Sequence, residues 1–319
     1  ERSHMSQTRE SQARYVLGDW GTSRLRLWLV EHEEITATRA GPGIGRLTTT
    51  PSATLAELIA PWQLPAAPLR VVLSGMAGSR TGLIETDYVT VPADFRRWAD
   101  GTQTTRIEGL SIAVAAGLRD DSRADAPDVM RGEETQIFGA LELEPALQQG
   151  THLFVLPGTH SKWVRVDDGT ITRISTALTG ELFALLRDHS ILLKTGADAR
   201  PDPTEQAAGF AAGVARSRVL SERLLSALFT ARTAQLLAGR SHAWASGFLS
   251  GLLIGDEIAG QSALQGWPND VVLIGASQLT RLYEQALGEH DIDARLIDGD
   301  TCALAGLQQL YDTVQGALL

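Results

Sequence analysis

The sequence predicts an α/β fold built from two similar halves, and three observations carry that reading. Residues 15–40 read as strand, glycine-containing turn, strand and further strand, with Leu25, Leu27 and Leu29 alternating with Arg26 and Trp28 at the period of a sheet. Apolar runs such as "LRVVLSGMAG" end in glycine and alternate with helical patterns, as buried parallel strands do. The stretch "THLFVLPGTHSKWVRVDDGTITRIST" then repeats the organisation of residues 15–40, which implies an internal duplication of one α/β unit.

In chain order, strands are expected at 15–19, 25–30 and 34–40, followed by the glycine-rich loop "AGPGIGRL" and a helix over 52–62. The strand ending at Gly75-Met76-Ala77-Gly78 comes next, then "SIAVAAGL" as another strand. The turn Arg131-Gly132-Glu133 opens an amphipathic helix. A seam falls between Glu144 and Thr151. Beyond the second hairpin, helices are expected at 179–188, 205–238 and 242–262. "DVVLIGASQLTRLYEQAL" gives strand, turn and helix, "ARLID" a last strand, and 301–315 a last helix. The predicted organisation is a leader over 1–14, whose "ERSHM" has the look of a cloning scar, a first domain over 15–148 and a second over 149–319. A cleft between two such halves is the expected ligand site.

The bulk numbers narrow the function. At 319 residues, 43% hydrophobic and 21% charged, the chain has the composition of a globular protein with room for two domains. A formal charge of −10 argues against a nucleic-acid partner, whose binders usually present a basic surface. The longest apolar stretch, "AWASGFLSGLLIG", is glycine-broken and far shorter than the ~20 residues of a bilayer span, so no membrane partner is expected. The single cysteine, Cys302, gives no disulfide framework and suits a reducing, cytoplasmic compartment. Oligomeric state is left open, and a homo-oligomer is compatible with everything here.

The candidate chemistry lies in the turns. Asp19 to Ser23 form a tight turn between two strands; Asp-Trp-Gly-Thr is ordinary turn chemistry, but such a turn also presents consecutive backbone N–H groups that bind phosphate. Gly21 admits a phosphate without a Cβ clash, and Thr22 and Ser23 add hydroxyl donors. Arg24 and Arg26 share one strand face, solvated or turned toward an anionic substrate. Within "PGTHSKW", Gly158, Thr159, Ser161 and Lys162 occupy the corresponding turn. His160 beside Ser161 is a poor hydrolase site, because no Gly-x-Ser-x-Gly elbow surrounds the serine. "GPGIG" lacks the preceding strand and following helix of a dinucleotide fingerprint, and no Gly-x-x-x-x-Gly-Lys-Ser/Thr loop is present. Glu133 and Glu134 open a helix, where the dipole alone favours acids, yet a general base needs a carboxylate fixed in this way. Glu133, the first inward residue, is the preferred base.

The ordered set "GDWGTSRLRLWL", "VVLSGMAGSRTG", "DVMRGEETQIFGAL", "LPGTHSKWV", "TALTGELFALL", "FLSGLLIGDEI" and "LIGASQLTRLYEQAL" resembles the 2-dehydro-3-deoxygalactonokinase family, from Tyr15 to Tyr311. That family is similar in turn to the sugar-kinase, heat-shock-protein and actin superfamily. The resemblance implies two duplicated ribonuclease-H-like, actin-like ATPase domains with an interdomain cleft. It implies ATP-dependent phosphorylation of the terminal hydroxyl of a small sugar acid, 2-dehydro-3-deoxy-D-galactonate, with Mg2+. On the same ground Asp19 is expected to hold the metal through water, and the two hairpins to grip the phosphates from opposite sides. Gly275 and Ala276 would lie against adenine or ribose, and an acid at 133–134 would be the base. Arg131 has the chemistry to pair the substrate carboxylate. A non-catalytic sugar-acid sensor and an actin-like ATPase are the alternatives on the same fold.

Overall fold

The computed structural model describes residues 14–64, 69–194, 202–219, 223–266 and 269–318. The leader expected over 1–14 lies outside them, apart from Arg14. That residue opens β1 (Arg14–Trp20), which pairs antiparallel with β2 (Arg24–Glu31) so that Asp19 faces Arg26. Leu25, Leu27 and Leu29 are buried and Arg26 and Trp28 are not, as their alternation requires. β3 (Glu34–Pro42) continues the meander as an exposed edge. α1 (Pro51–Ile59) starts where the Thr50 side chain accepts the Ala53 N–H, with proline in the first turn. Then come β4 (Arg70–Gly75), β5 (Tyr88–Thr90), α2 (Phe95–Ala99), β6 (Gln103–Ile107), β7 (Leu110–Val114), β8 (Gly117–Asp120), β9 (Asp128–Met130) and α3 (Glu133–Leu143).

The second half runs β10 (Thr151–Leu156), β11 (Ser161–Asp167), β12 (Thr170–Ala177), α4 (Thr179–His189), α5 (Pro203–Arg218), α6 (Leu224–Leu228), α7 (Thr230–Leu237) and α8 (His242–Gln265). It ends with β13 (Asp270–Gly275), α9 (Ser277–Gly288), β14 (Asp293–Asp298) and α10 (Gly299–Val314). The duplication is visible in the sheets. One is ordered β3-β2-β1-β4-β7-β6 and the other β12-β11-β10-β13-β14. In both, a three-strand meander is extended by two parallel strands beside its first member. The chain is therefore α/β, with two ribonuclease-H-like halves, as the sequence predicts.

Contacts divide the chain into one unit of Glu1–Thr151, Val166–Ile174 and Gly299–Leu319, and another of His152–Arg165 and Ser175–Asp298. The sequence reading puts 299–319 with the second half. The cause of the difference is close packing of α10 on α3: a Cβ on Gly139 would collide with the Cys302 carbonyl, and one on Gly306 with the Thr135 carbonyl. Residues 166–174 join the first unit through the Ala93–Ile171 bridge and the Ile174 N–H donated to Asp120 Oδ2 at 2.8 Å.

In the second unit, α5 and α8 touch backbone to backbone, because Gly209, Gly213, Gly247 and Gly251 leave no room for a side chain between them. That explains the glycines of "AWASGFLSGLLIG". The helix expected over 205–238 is broken instead: α5 ends at Arg218, and α6 and α7 pack separately on α8 around Ala227, Leu228 and Ala231. Among the described residues no helix is long and apolar enough to cross a membrane.

Candidate active site

In the first unit the ends of β1 and β4 and the start of α3 converge. Gly75 ends β4 at φ +76°, and a Cβ there would lie 3.4 Å from Asp19 Oδ1. Gly132 caps α3 at φ +112°, and its Cβ would lie 3.2 Å from Gly75 Cα. Both positions need backbone conformations that side chains resist. Asp19 and the "RGEE" turn thus become neighbours through two glycines. The turn at Gly21, Thr22 and Ser23 is braced from behind: Ile44 N–H donates to Gly21 O at 3.0 Å, and Gly45 N–H to Thr22 O at 2.9 Å. The loop "GPGIG" is this brace. Thr22, Ser23 and Arg24 are exposed.

Arg26 does not extend to solvent. Opposite Asp19 in the β1–β2 register, its guanidinium donates to Asp19 Oδ2 and pairs with Asp300 Oδ1 in the first turn of α10. The arginine expected at the substrate is thus held between two carboxylates. Arg131 is likewise committed. Its terminal nitrogens donate to Thr86 Oγ1 and to Thr86 O, and its plane lies 4.3 Å from the Tyr88 ring centroid. Only Nε has no hydrogen-bond partner among the described residues.

The two acids separate. Glu133 is half-buried and its Oε2 accepts the Arg131 N–H at 3.1 Å. Glu134 is fully buried and accepts the Gly132 N–H at 2.8 and 2.9 Å. Burial, reinforced by the neighbouring Glu133, pushes its carboxyl up to about 8. Glu134 therefore satisfies an orphan N–H at a helix start as a neutral acid.

In the second unit the Pro157–His160 turn rests on the start of α4. Glu181 N–H donates to Thr159 O at 2.9 Å, and a Cβ on Gly180 would collide with the Gly158 carbonyl. His160 is exposed and paired with Glu181. Ser161, expected at the phosphates, is 0% exposed, and its hydroxyl meets that of Tyr283 at 2.8 Å. Lys162 is buried too, its Nζ donating to Thr176 Oγ1 at 2.8 Å. Beside the turn a cavity of about 320 Å³ is walled by Phe183, Leu253, Ile254, Leu279 and Leu282. Gly158, Thr179, Gly180, Ala276 and Tyr283 also line it. An apolar chamber opening beside a turn of backbone N–H groups has the shape and chemistry for a base with phosphates attached. Ala276 is on its wall, with Gly275 just before it at the end of β13.

The sequence matches the 2-keto-3-deoxy-galactonokinase family over residues 19–310, from Asp19 in β1 to Leu310 within α10. The chain belongs to this family. It is 36% identical over 304 residues to the 2-dehydro-3-deoxygalactonokinase of Escherichia coli (strain K12), covering 95% of this chain and 99% of that one. A Rhizobium meliloti (strain 1021) protein provisionally given the same name is 38% identical over 300 residues, 92% of this chain and 95% of that one. A Sinorhizobium meliloti crystal structure, also provisionally named so, superposes with a TM-score of 0.84 at 36% identity, over 94% of this chain and 99% of that one. The galactonokinase family match contains every candidate residue above.

Sequence reasoning missed Asp300, Gly75 and the Thr179–Gly180 start of α4. Asp300 is distant in sequence and sits in the unremarkable "DGDT". Gly75 had a readable signal, since a strand-end glycine before "MAG" marks a backbone turn beside a neighbouring strand end.

Proposed function

We propose that this galactonokinase-family chain transfers the γ-phosphoryl group of ATP to the terminal hydroxyl of 2-dehydro-3-deoxy-D-galactonate, giving the 6-phosphate and ADP, in the cytoplasmic breakdown of galactonate. The observation that carries the mechanism is the convergence of Asp19, Gly75 and the Gly132–Glu133 turn. It puts a fixed carboxylate beside a phosphate-type turn, which is what phosphoryl transfer to an alcohol needs.

In this reading Glu133 accepts the hydroxyl proton as the sugar oxygen attacks phosphorus and the bond to the β-phosphate oxygen breaks. The exposed turn of Gly21, Thr22 and Ser23 binds phosphate oxygens, and the turn of Gly158 and Thr159, with Lys162 behind it, does so in the second unit. The apolar cavity by Ala276 and Gly275 takes adenine. Arg24, exposed at the start of β2, has the chemistry to take the sugar-acid carboxylate. Mg2+ keeps most of its waters and binds through one or two carboxylates plus substrate phosphates. Asp19 stands at a strand end with Oδ2 on Arg26 and Oδ1 beside Gly75, which fits that demand, so Asp19 is the residue that would hold it. The ion would supply charge neutralisation on the phosphates.

A coupled ADP-release assay tests the reading, with 2-dehydro-3-deoxy-D-galactonate and the gluconate-derived epimer in parallel. Turnover with the galactonate-derived acid is expected to exceed that with its epimer, and absence of ADP release with either defeats the proposal. Lys162→Ala is expected to raise the KM for ATP more than that for the sugar acid. The reverse pattern would move Lys162 to the sugar.

A further inference from the structure

Glu257, in the stretch "FLSGLLIGDEI", has no role among the site residues above, yet it is a buried acid with several hydrogen bonds. It lies on α8 at 6% exposure. Its Oε1 accepts the Trp163 indole N–H at 2.7 Å, and its Oε2 the Tyr283 hydroxyl at 2.6 Å. Tyr283 in turn meets the Ser161 hydroxyl at 2.8 Å, and the Thr179 hydroxyl also bonds to the carboxyl. One side chain thus ties together α8, β11, α9 and the start of α4. Burial pushes its pKa up while the hydrogen bonds it accepts pull it back.

The position of this network is what gives it a consequence. Thr179 and Tyr283 line the same cavity as Gly158 and Ala276. Thr179 is followed by Gly180, which is packed against the Gly158 carbonyl, and by Glu181, whose N–H holds Thr159 O. The carboxyl therefore stands behind the cavity wall and fixes, through Thr179, the helix start on which the Pro157–His160 turn rests. A core could bury apolar residues here at less cost, because a buried acid needs every hydrogen bond satisfied.

We propose that Glu257 is a positioning residue for the nucleotide: it sets the spacing between the cavity wall and the glycine turn of the second unit, and so governs affinity for ATP rather than for the sugar acid. This rests on the reading of the cavity as the ATP site.

The test measures equilibrium binding of Mg·ATP to the full chain, and then KM for both substrates, in wild type and Glu257→Gln. The amide keeps the shape but puts an NH2 group where an oxygen accepted from indole or phenol. Nucleotide binding should weaken on the order of tenfold, with the sugar-acid KM within about twofold. Tyr283→Phe, which removes one hydroxyl and no volume, should shift nucleotide binding the same way, and it carries the test if Glu257→Gln fails to fold. A merely structural carboxyl would lower the melting temperature and leave the two substrates affected alike. That result, or unchanged nucleotide binding in a folded variant, overturns the inference. Wild type that binds no nucleotide at all defeats the ATP-site reading itself, which separates the two failures.

Discussion

Asp19→Asn should abolish nearly all turnover, by roughly 10²–10³-fold or more, the scale on which removal of a preorganised electrostatic partner acts. The side chain keeps its volume and its place in the β1–β2 register, so the phosphate turn that follows it is unchanged. What is lost is the negative charge beside Gly75. The fold has a reason to tolerate the change: Arg26, which pairs with Asp19, also pairs with Asp300, so its guanidinium is not left unpartnered. Breaking a buried pair by removing one member costs ~3–5 kcal/mol when the survivor is stranded, and here the cost should be well below that. Turnover assayed alongside thermal melting checks both halves. A folded variant with wild-type turnover would remove Asp19 from the metal role. A steeper dependence on Mg2+ concentration in a partly active variant would support it without relying on the rate alone.

The duplication was readable because each half repeats one pattern: a period-two hairpin around a glycine turn, then apolar runs that end in glycine. These are local features, and local features survive in sequence. The turn between β1 and β2 was legible for the same reason, though β1 runs on through Trp20 and leaves only Gly21–Ser23 to it, and so was the turn at 157–160. What was hidden depends on tertiary register. Arg26 looks like a free surface cation until β1 places Asp19 opposite it and α10 brings Asp300 alongside. Ser161 looks like a turn hydroxyl, yet it is the first residue of β11 and its side chain turns into the core toward Tyr283, 122 residues away. The return of α10 to the first unit was invisible too. It is decided by Gly139 and Gly306, two ordinary helix glycines whose meaning is that another backbone passes against them.

The second large effect separates Glu133 from Glu134. Glu133→Gln should lower kcat by roughly 10²–10⁴ with nucleotide affinity nearly unchanged, since that is the worth of a positioned proton acceptor. Glu134→Gln should leave kcat near wild type, because the carboxyl it replaces is fully buried against Gly132 N–H and carries its proton at neutral pH. Its signature is instead in stability against pH. With a folded pKa of about 8 against an ordinary 4.5, the native state binds more protons than the unfolded chain between those values. Stability from this group is thus complete below about pH 4.5 and falls as pH rises toward 8. Glutamine has no proton to lose, so Glu134→Gln should gain on wild type steadily across that window, and melting curves at successive pH values would show the gap opening by several kcal/mol. A constant gap would mean that Glu134 is ionised in the folded protein. A collapse of kcat in Glu134→Gln, with Glu133→Gln active, would reverse the assignment and require the Gly132 turn to open so that Glu134 reaches the substrate hydroxyl.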